Sequence, residues 1–336
     1  MDQQNKDGKP KLDPEGQIAF LRGKGVTFER MDEADAMRYL SRESYLFSAY
    51  AYRTLFPRRV GGAHDGEYAN LDFCDLVDLE RLDRELRAAL LPLALDAEHL
   101  AKARVLDEVA RRPSEDGHSI VRDYMAALSP SERSRREAEI SRLRRDEYSG
   151  DLQRHYAAEM PIWVLLELSS FGTVADVYRY CASRWDDAAM LDEHYMLKKA
   201  RDVRNACAHS AAIINGLGTN GHVARPAPSE LTTALREAGF SKRSRSSRMR
   251  NPRLQQIATL LLLHKRMAGG TELADEGSAR LRPLADDVKA VLSVTRPDAS
   301  RELNFEKQSC CTKSCSGHRR NWGQDGFRIH PAPAFL

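Results

Sequence analysis

The chain has 336 residues, of which 42% are hydrophobic and 30% are charged, and its formal net charge at pH 7 is +3. This length allows one large or two ordinary domains with enough sequence to bury a core. Because positive and negative charges nearly balance, a strong global attraction to nucleic acid is excluded, and any such binding must come from local basic patches.

Apolar residues recur at three- and four-residue steps through most of the chain, which is the period of a helix. Residues 1–14 are polar and rich in Lys, Asp, Gly and Pro, so we expect a disordered N-terminus. A helix is predicted over about 32–41, and a longer one over about 71–110. Pro92 is expected to kink or restart the longer helix.

Further helices follow in the second half of the chain. Ser129 to Glu132 predicts a capped helix start, with Pro at the first helical position and Glu three residues after the cap. Pro161 is predicted to begin the next helix and Gly172 to end it, and another helix is expected over about 188–214. The helix after Ser129 carries arginines interleaved with acids, which favours a solvated face; they are Arg133, Arg135, Arg136, Arg142, Arg144 and Arg145.

No alternating strand series and no Gly-rich phosphate loop is present in the sequence, so the predicted fold is all-α. One helical domain is expected over 15–295, with its last helices at 254–294, followed by a poorly ordered tail over 296–336. Cys74, Cys181 and Cys207 are expected to be buried small hydrophobic residues. The tail cluster leaves open a zinc site or an unstructured redox-sensitive segment, although its spacing fits no common zinc motif; it consists of Cys310, Cys311, Cys315 and His318.

Two sequence features bear on location. Apolar runs such as Leu260 to Leu263 are far shorter than the roughly 18–20 residues that span a membrane. The stretch from Met1 to Lys6 lacks the apolar core of a signal peptide. We therefore expect a cytoplasmic protein with no membrane partner.

The most informative stretch is Arg204-Asn205-Ala206-Cys207-Ala208-His209. A histidine can pass a proton to or from a ribose 2′-OH or a leaving oxygen near neutral pH. An arginine can hold a phosphate while negative charge develops on it. On one helix, Asn205 and His209 would be roughly 40° apart and Arg204 and His209 roughly 140° apart. The alternative is that His209 is an ordinary helix-face residue and Arg204 a salt-bridge partner of Asp202 or Glu193.

The motif and its surroundings resemble the abortive-infection (Abi) family of anti-phage proteins, of the AbiD/AbiF type, with the Arg-x4-His pattern of HEPN ribonucleases. The resemblance covers roughly residues 15–220. It rests on three blocks in the family's order: Leu82 to Arg87, Trp163 to Thr173, and Arg204 to His209 followed by Asn215. Leu21 to Gly23 and the aromatic run Tyr45 to Tyr52 also agree with the family. Many relatives carry a second His and an Arg just after the first His, where this chain has Ser210 and Ala212.

The resemblance implies a HEPN-like helical domain and a metal-independent endoribonuclease, with Arg204, Asn205 and His209 as catalytic residues and with no metal or cofactor. It also implies a homodimer in which two motifs build one composite site. The alternative is a non-catalytic RNA-binding or partner-binding module, regulated by a small non-coding RNA, in a defence system of the toxin–antitoxin kind. RNA is the expected partner in both cases, as substrate or as regulator.

A second basic feature is the segment 241–253, where cations alternate with serines and almost no apolar residue intervenes. Such a segment could contact RNA phosphates without sequence preference. It could equally be a solvated linker before the helix predicted at 254–263. The predicted RNA-binding residues are Lys242, Arg243, Arg245, Arg248 and Arg250.

Overall fold

The computed structural model describes residues 11–217 and 226–294, with side chains up to residue 283. The described part is all-α, as predicted, with only two short strands. None of its helices combines the length and apolar character needed to cross a bilayer. The predicted tail cluster of three cysteines and His318 lies outside the described residues, as do residues 1–10.

The chain divides into two compact units. The first contains residues 11–86, 212–217 and 284–294 of the described chain. Its two strands pair in parallel, with Val26 opposite Leu71. Its elements are α1 (Pro14–Arg22), β1 (Val26–Thr27), α2 (Glu33–Arg42), α3 (Leu46–Ala49), the 3₁₀ helix η1 (Tyr50–Leu55), β2 (Leu71–Asp72), the first part of α4 (Phe73–Arg111) and η3 (Ile214–Gly216).

The second unit contains residues 87–211 and 226–283. After the remainder of α4 come α5 (Ser119–Ala127), α6 (Pro130–Arg142), η2 (Leu143–Arg145), α7 (Gly150–His155), α8 (Ile162–Glu167), α9 (Phe171–Arg184), α10 (Ala188–Ala208), α11 (Ser229–Glu237), α12 (Lys242–Arg248), α13 (Pro252–Ala268) and the first part of α14 (Glu272–Val294).

Helix α10 forms the centre of the second unit, where it packs against α9 and α13. Its buried side chains recur every three or four residues and include Leu197, Ala200 and Val203. Burying each large apolar side chain contributes roughly 1.5–3 kcal/mol. Packing of this stripe against α9 and α13 holds in place the helix that carries the motif.

A buried carboxylate ties α10 to its neighbours. Glu193 accepts a short hydrogen bond from the Tyr178 hydroxyl of α9 and lies 3.0 Å from the Nε of Arg266 in α13. Burial, followed by the negative charge of Glu193, raises the pKa of Tyr178, so the phenol stays a donor. Removing one member of such a buried charged group costs about 3–5 kcal/mol.

Local signals predict several helix starts correctly. The Ser129 capping box forms, since Glu132 N–H bonds to the Ser129 hydroxyl and the Glu132 carboxylate accepts from Ser129 N–H. Of the two effects expected of Pro92, a kink or a restart, the restart does not occur, since α4 is continuous through it. Leu90 and Leu93 continue one buried stripe on either side of the proline, and their burial offsets its lost hydrogen bond.

Two boundary predictions are wrong. Gly172 does not end a helix: α8 stops at Glu167, Ser170 takes an extended N-cap conformation, and Gly172 lies in the first turn of α9. The motif helix ends at Ala208 and does not continue to 214.

The prediction that the three cysteines outside the tail are buried is confirmed for Cys74, Cys181 and Cys207.

Candidate active site

The motif lies at the C-terminal end of α10, and a specific hydrogen-bond pattern ends the helix there. Ser210 adopts the left-handed conformation with φ of 53°. Its N–H donates to the Cys207 carbonyl at 3.1 Å, and the Ala211 N–H donates to the Ala206 carbonyl at 2.9 Å. This pair of bonds is a Schellman cap. It makes His209 the C-cap residue and turns the chain away from the helix.

The three predicted catalytic residues are only partly brought together. Arg204 is half-buried and donates to the Asn205 Oδ1 at 3.1 Å. The His209 ring is exposed and makes no hydrogen bond or ion pair with any described residue. No described contact joins His209 to Arg204, so the pair is linked only through the end of α10.

Arg204 has an ion-pair partner that the sequence did not reveal. Its guanidinium lies 3.7 Å from the carboxylate of Glu98 on α4. Burial raises the pKa of Glu98, although the positive charge of Arg204 opposes that shift. Glu98 is far from the motif in sequence and belongs to no recognisable pattern, so only the folded chain shows the pairing.

The two salt-bridge partners that the alternative interpretation assigns to Arg204 are engaged elsewhere. Asp202 accepts from Arg201 at 2.9 Å and from the Gln256 side-chain amide at 3.2 Å. Glu193 is paired with Arg266 in the core. The prediction of a salt bridge from Arg204 to either residue is therefore wrong.

In the first unit, Asp83 holds the segment that follows the motif. Its carboxylate is fully buried and accepts from the backbone N–H groups of Ile213 at 3.0 Å and Ile214 at 2.9 Å. The Tyr52 hydroxyl also donates to it at 2.7 Å. Two of the sequence blocks, the aromatic run and the segment 82–87, thus supply one anchor for this backbone.

Two further polar contacts involve the same stretch of sequence. Within the second unit, the Arg87 guanidinium donates to the Ala211 carbonyl at 3.0 Å. Within the first, the Thr54 hydroxyl donates to the Asn215 side-chain oxygen through a short bond. Asn215 therefore has a hydrogen-bond partner within the first unit.

The block Trp163 to Thr173 builds a polar junction between α6 and α9. The Glu139 carboxylate accepts from the Ser170 N–H and the Thr173 hydroxyl, each at 2.8 Å, and pairs with Arg136 at 3.2 Å. Burial alone raises the pKa of Glu139, but these hydrogen bonds and the Arg136 charge outweigh it. They hold the pKa below its ordinary value of 4.5.

The basic segment folds as a short helix, α12, capped by the Ser241 hydroxyl. Arg248 lies over the Phe240 ring at 5.6 Å and donates to the Ser244 hydroxyl at 3.2 Å. Arg245 donates to the Phe240 carbonyl. Within the described chain, none of the five predicted RNA-binding cations is in an ion pair; they are Lys242, Arg243, Arg245, Arg248 and Arg250.

The fold and the motif together define an all-α protein with an Arg-x4-His pair at the end of a core helix. The sequence profile of a family described as Abi-like protein matches residues 38–215, and the chain belongs to this family. Membership supports a role in abortive infection, a form of phage defence. No curated protein and no solved structure matches the chain.

Proposed function

We propose that this Abi-like protein is a cytoplasmic, metal-independent endoribonuclease of the HEPN type and of the AbiD/AbiF subgroup, and that it acts on RNA during phage infection. The observation that carries the proposal is the placement of the motif. His209, whose ring is exposed, is the C-cap residue of α10. It follows about one turn after Arg204, whose guanidinium donates a hydrogen bond to the Asn205 side chain. Such a pair can supply proton transfer and phosphate stabilisation.

The proposed reaction is attack of a ribose 2′-oxygen on the adjacent phosphorus. His209 takes the 2′-OH proton as the new bond forms, and the bond from phosphorus to the 5′-oxygen breaks. The leaving 5′-oxygen takes a proton from an acid, so the products are a 2′,3′-cyclic phosphate and a 5′-OH. Arg204 stabilises the charge on the phosphorane-like transition state, and Asn205 keeps its guanidinium in place.

Glu98 sets the resting charge of this site. Its carboxylate, 3.7 Å from Arg204, offsets part of the guanidinium's charge until a phosphate arrives. A phosphate that binds Arg204 must compete with Glu98, and this competition weakens RNA binding at Arg204. We expect Glu98 to act as a positioning residue and not as an acid or base on the substrate.

A homodimer would supply the second proton-transfer group. One His209 would act as the base and the His209 of a second copy as the acid, in a two-fold composite site. If a composite site instead needs only Arg204 from one chain and His209 from the other, mixing Arg204→Ala with His209→Ala subunits should restore part of the activity that each variant lacks alone; if both His209 side chains are needed, the mixture should stay inactive. A strictly monomeric protein that cleaves RNA at micromolar concentration would reject the composite site.

The basic segment around α12 is proposed to contact RNA phosphates. If it does, the triple variant Arg243→Gln/Arg245→Gln/Arg248→Gln should bind RNA less tightly. Its dependence of log affinity on log salt should flatten by about two units, since each single-strand contact accounts for roughly 0.7. An unchanged salt slope would leave the segment as a solvated helix.

The second candidate is a non-catalytic module that binds RNA or a protein partner. Two observations favour it: Ser210 and Ala212 stand where many relatives carry a second His and an Arg, and Arg204 is already paired with Glu98. Growth arrest on expression separates the two candidates. The nuclease requires that His209→Ala abolish the arrest at equal protein abundance. The matched control is His155→Ala, which changes an exposed histidine of α7.

A further inference from the structure

A cleft of about 410 Å³ lies between α5, α6 and α9 in the second unit. Each helix lines it with one face, because the lining positions from each helix follow the i, i+3, i+4 spacing of residues that share a helix face. Its volume falls within the range of roughly 300–1,000 Å³ that small-ligand sites occupy. The residues that define its chemistry are Tyr124, Arg135, Arg136, Asp176, Arg179 and Tyr180.

Both acids of the cleft already have hydrogen-bond partners within the protein. The Asp176 carboxylate forms an ion pair with the guanidinium of Arg136, which also donates a hydrogen bond to the Thr173 hydroxyl. The other acidic residue, Glu132, is held in the capping box by Ser129, whose hydroxyl and N–H donate to its carboxylate. Glu132 keeps its negative charge, so the cleft sets three arginines, Arg135, Arg136 and Arg179, against two carboxylates.

Two arginines of the cleft remain outside its ion pairs. Arg135 on α6 and Arg179 on α9 are exposed, and neither is in an ion pair within the described residues. Both line the cleft. Guanidinium groups match the geometry of a phosphate group and bind it through charge-assisted hydrogen bonds. The cleft thus contains two guanidinium groups that can bind one anion.

Two tyrosine rings line the same cleft. The rings of Tyr124 and Tyr180 lie 5.4 Å apart, at an interplanar angle of 66°. The Tyr124 hydroxyl accepts from Arg136 at 3.3 Å, and the Tyr180 hydroxyl accepts from Arg184 at 3.4 Å. Tyr124 is buried, whereas Tyr180 is half-exposed. A fixed, accessible aromatic ring is a platform on which a nucleobase can stack.

We infer that this cleft binds a nucleoside phosphate, with the phosphate between Arg135 and Arg179 and the base against Tyr180. The nucleotide could be free or part of an RNA strand, and only the second source rests on the proposed function. The motif residues do not line the cleft, so it is a site separate from the proposed catalytic one.

The test measures binding to full-length His209→Ala protein, so that cleavage does not interfere. The probes are inorganic phosphate, 5′-AMP and a 5′-phosphorylated single-stranded RNA nonamer. Binding of each probe is measured by isothermal titration calorimetry. Arg135→Gln/Arg179→Gln should weaken binding of AMP about 100-fold, since each charged contact accounts for about tenfold. The matched control, Arg144→Gln/Arg145→Gln, removes two exposed charges just after α6 and should bind as its parent does.

A further variant separates the base from the phosphate. Tyr180→Leu should weaken the binding of AMP about tenfold and leave the binding of inorganic phosphate unchanged. Competition between the RNA and AMP would assign the site to an RNA nucleotide, and binding of AMP alone would assign it to a free nucleotide; either result supports the site. No binding of any probe at millimolar concentration, or binding unaffected by loss of both arginines, overturns it. Because the protein tested cannot use His209, these results do not depend on whether the wild type cleaves RNA.

Discussion

Replacing Asp83 with Ala should release the backbone that follows the motif. Its buried carboxylate satisfies at least three donors, among them the N–H groups of Ile213 and Ile214 and the Tyr52 hydroxyl. Both isoleucines are buried, so water cannot readily replace the lost acceptor. Each unsatisfied buried donor costs about 1–3 kcal/mol, and the variant should lose roughly 3–6 kcal/mol after partial relaxation. Tyr52→Phe, which removes one donor and leaves the carboxylate bound, should lose only about 1 kcal/mol.

Hydrogen exchange of the full-length protein measures this effect where it occurs. The amides of Ile213 and Ile214 should be protected in the wild type and in Tyr52→Phe. They should exchange much faster in Asp83→Ala, whose urea midpoint should also fall. Equal protection of both amides in Asp83→Ala and wild type, or a loss of stability under about 1 kcal/mol, would show that the carboxylate does not hold this segment.

Three further substitutions probe the site and its supports. Glu98→Gln should raise the affinity of Arg204 for single-stranded RNA by roughly tenfold at low salt, because an opposing charge is removed; fluorescence anisotropy showing equal or weaker binding contradicts this. Ser210→Gly should stabilise the protein by up to about 1 kcal/mol, since glycine adopts the left-handed conformation without strain, and a lower melting temperature would argue against that cap. Glu139 has its pKa lowered by the fold, so its ionised form stabilises the native state above its ordinary pKa of 4.5. The advantage of wild type over Glu139→Gln should be full at pH 6–8 and decline as pH falls below 4.5 through the folded pKa; a constant difference down to pH 3 would contradict this.

Features set by local chemistry could be predicted from the sequence. The capping box at Ser129 needs only residues within one turn, and it forms as predicted. The end of α10 could not be predicted in the same way. A glycine usually marks a left-handed cap, but here Ser210 takes that conformation, and the apolar pattern up to Ile214 suggests a longer helix.

Long-range partners were the least predictable part of the site. Arg204 has Asp202 two positions away, yet its ion-pair partner is Glu98 on another helix. The importance of Asp83 was signalled only by its place in a sequence block, and its role became visible once the chain placed Ile213 beside it. Such pairings depend on how helices pack, which the period of apolar residues alone does not determine.

Cleavage of RNA by purified protein in excess EDTA tests the central claim most directly. Wild type and the control His155→Ala should cut single-stranded RNA and leave 2′,3′-cyclic phosphate and 5′-OH ends. His209→Ala should be slower by about 10²–10⁴, the usual cost of losing a general acid or base, and Arg204→Ala should also lose activity while keeping most of its RNA affinity. Intact RNA after incubation with folded wild-type protein, or cleavage by His209→Ala at the wild-type rate, would contradict the assignment of this motif as a nuclease site.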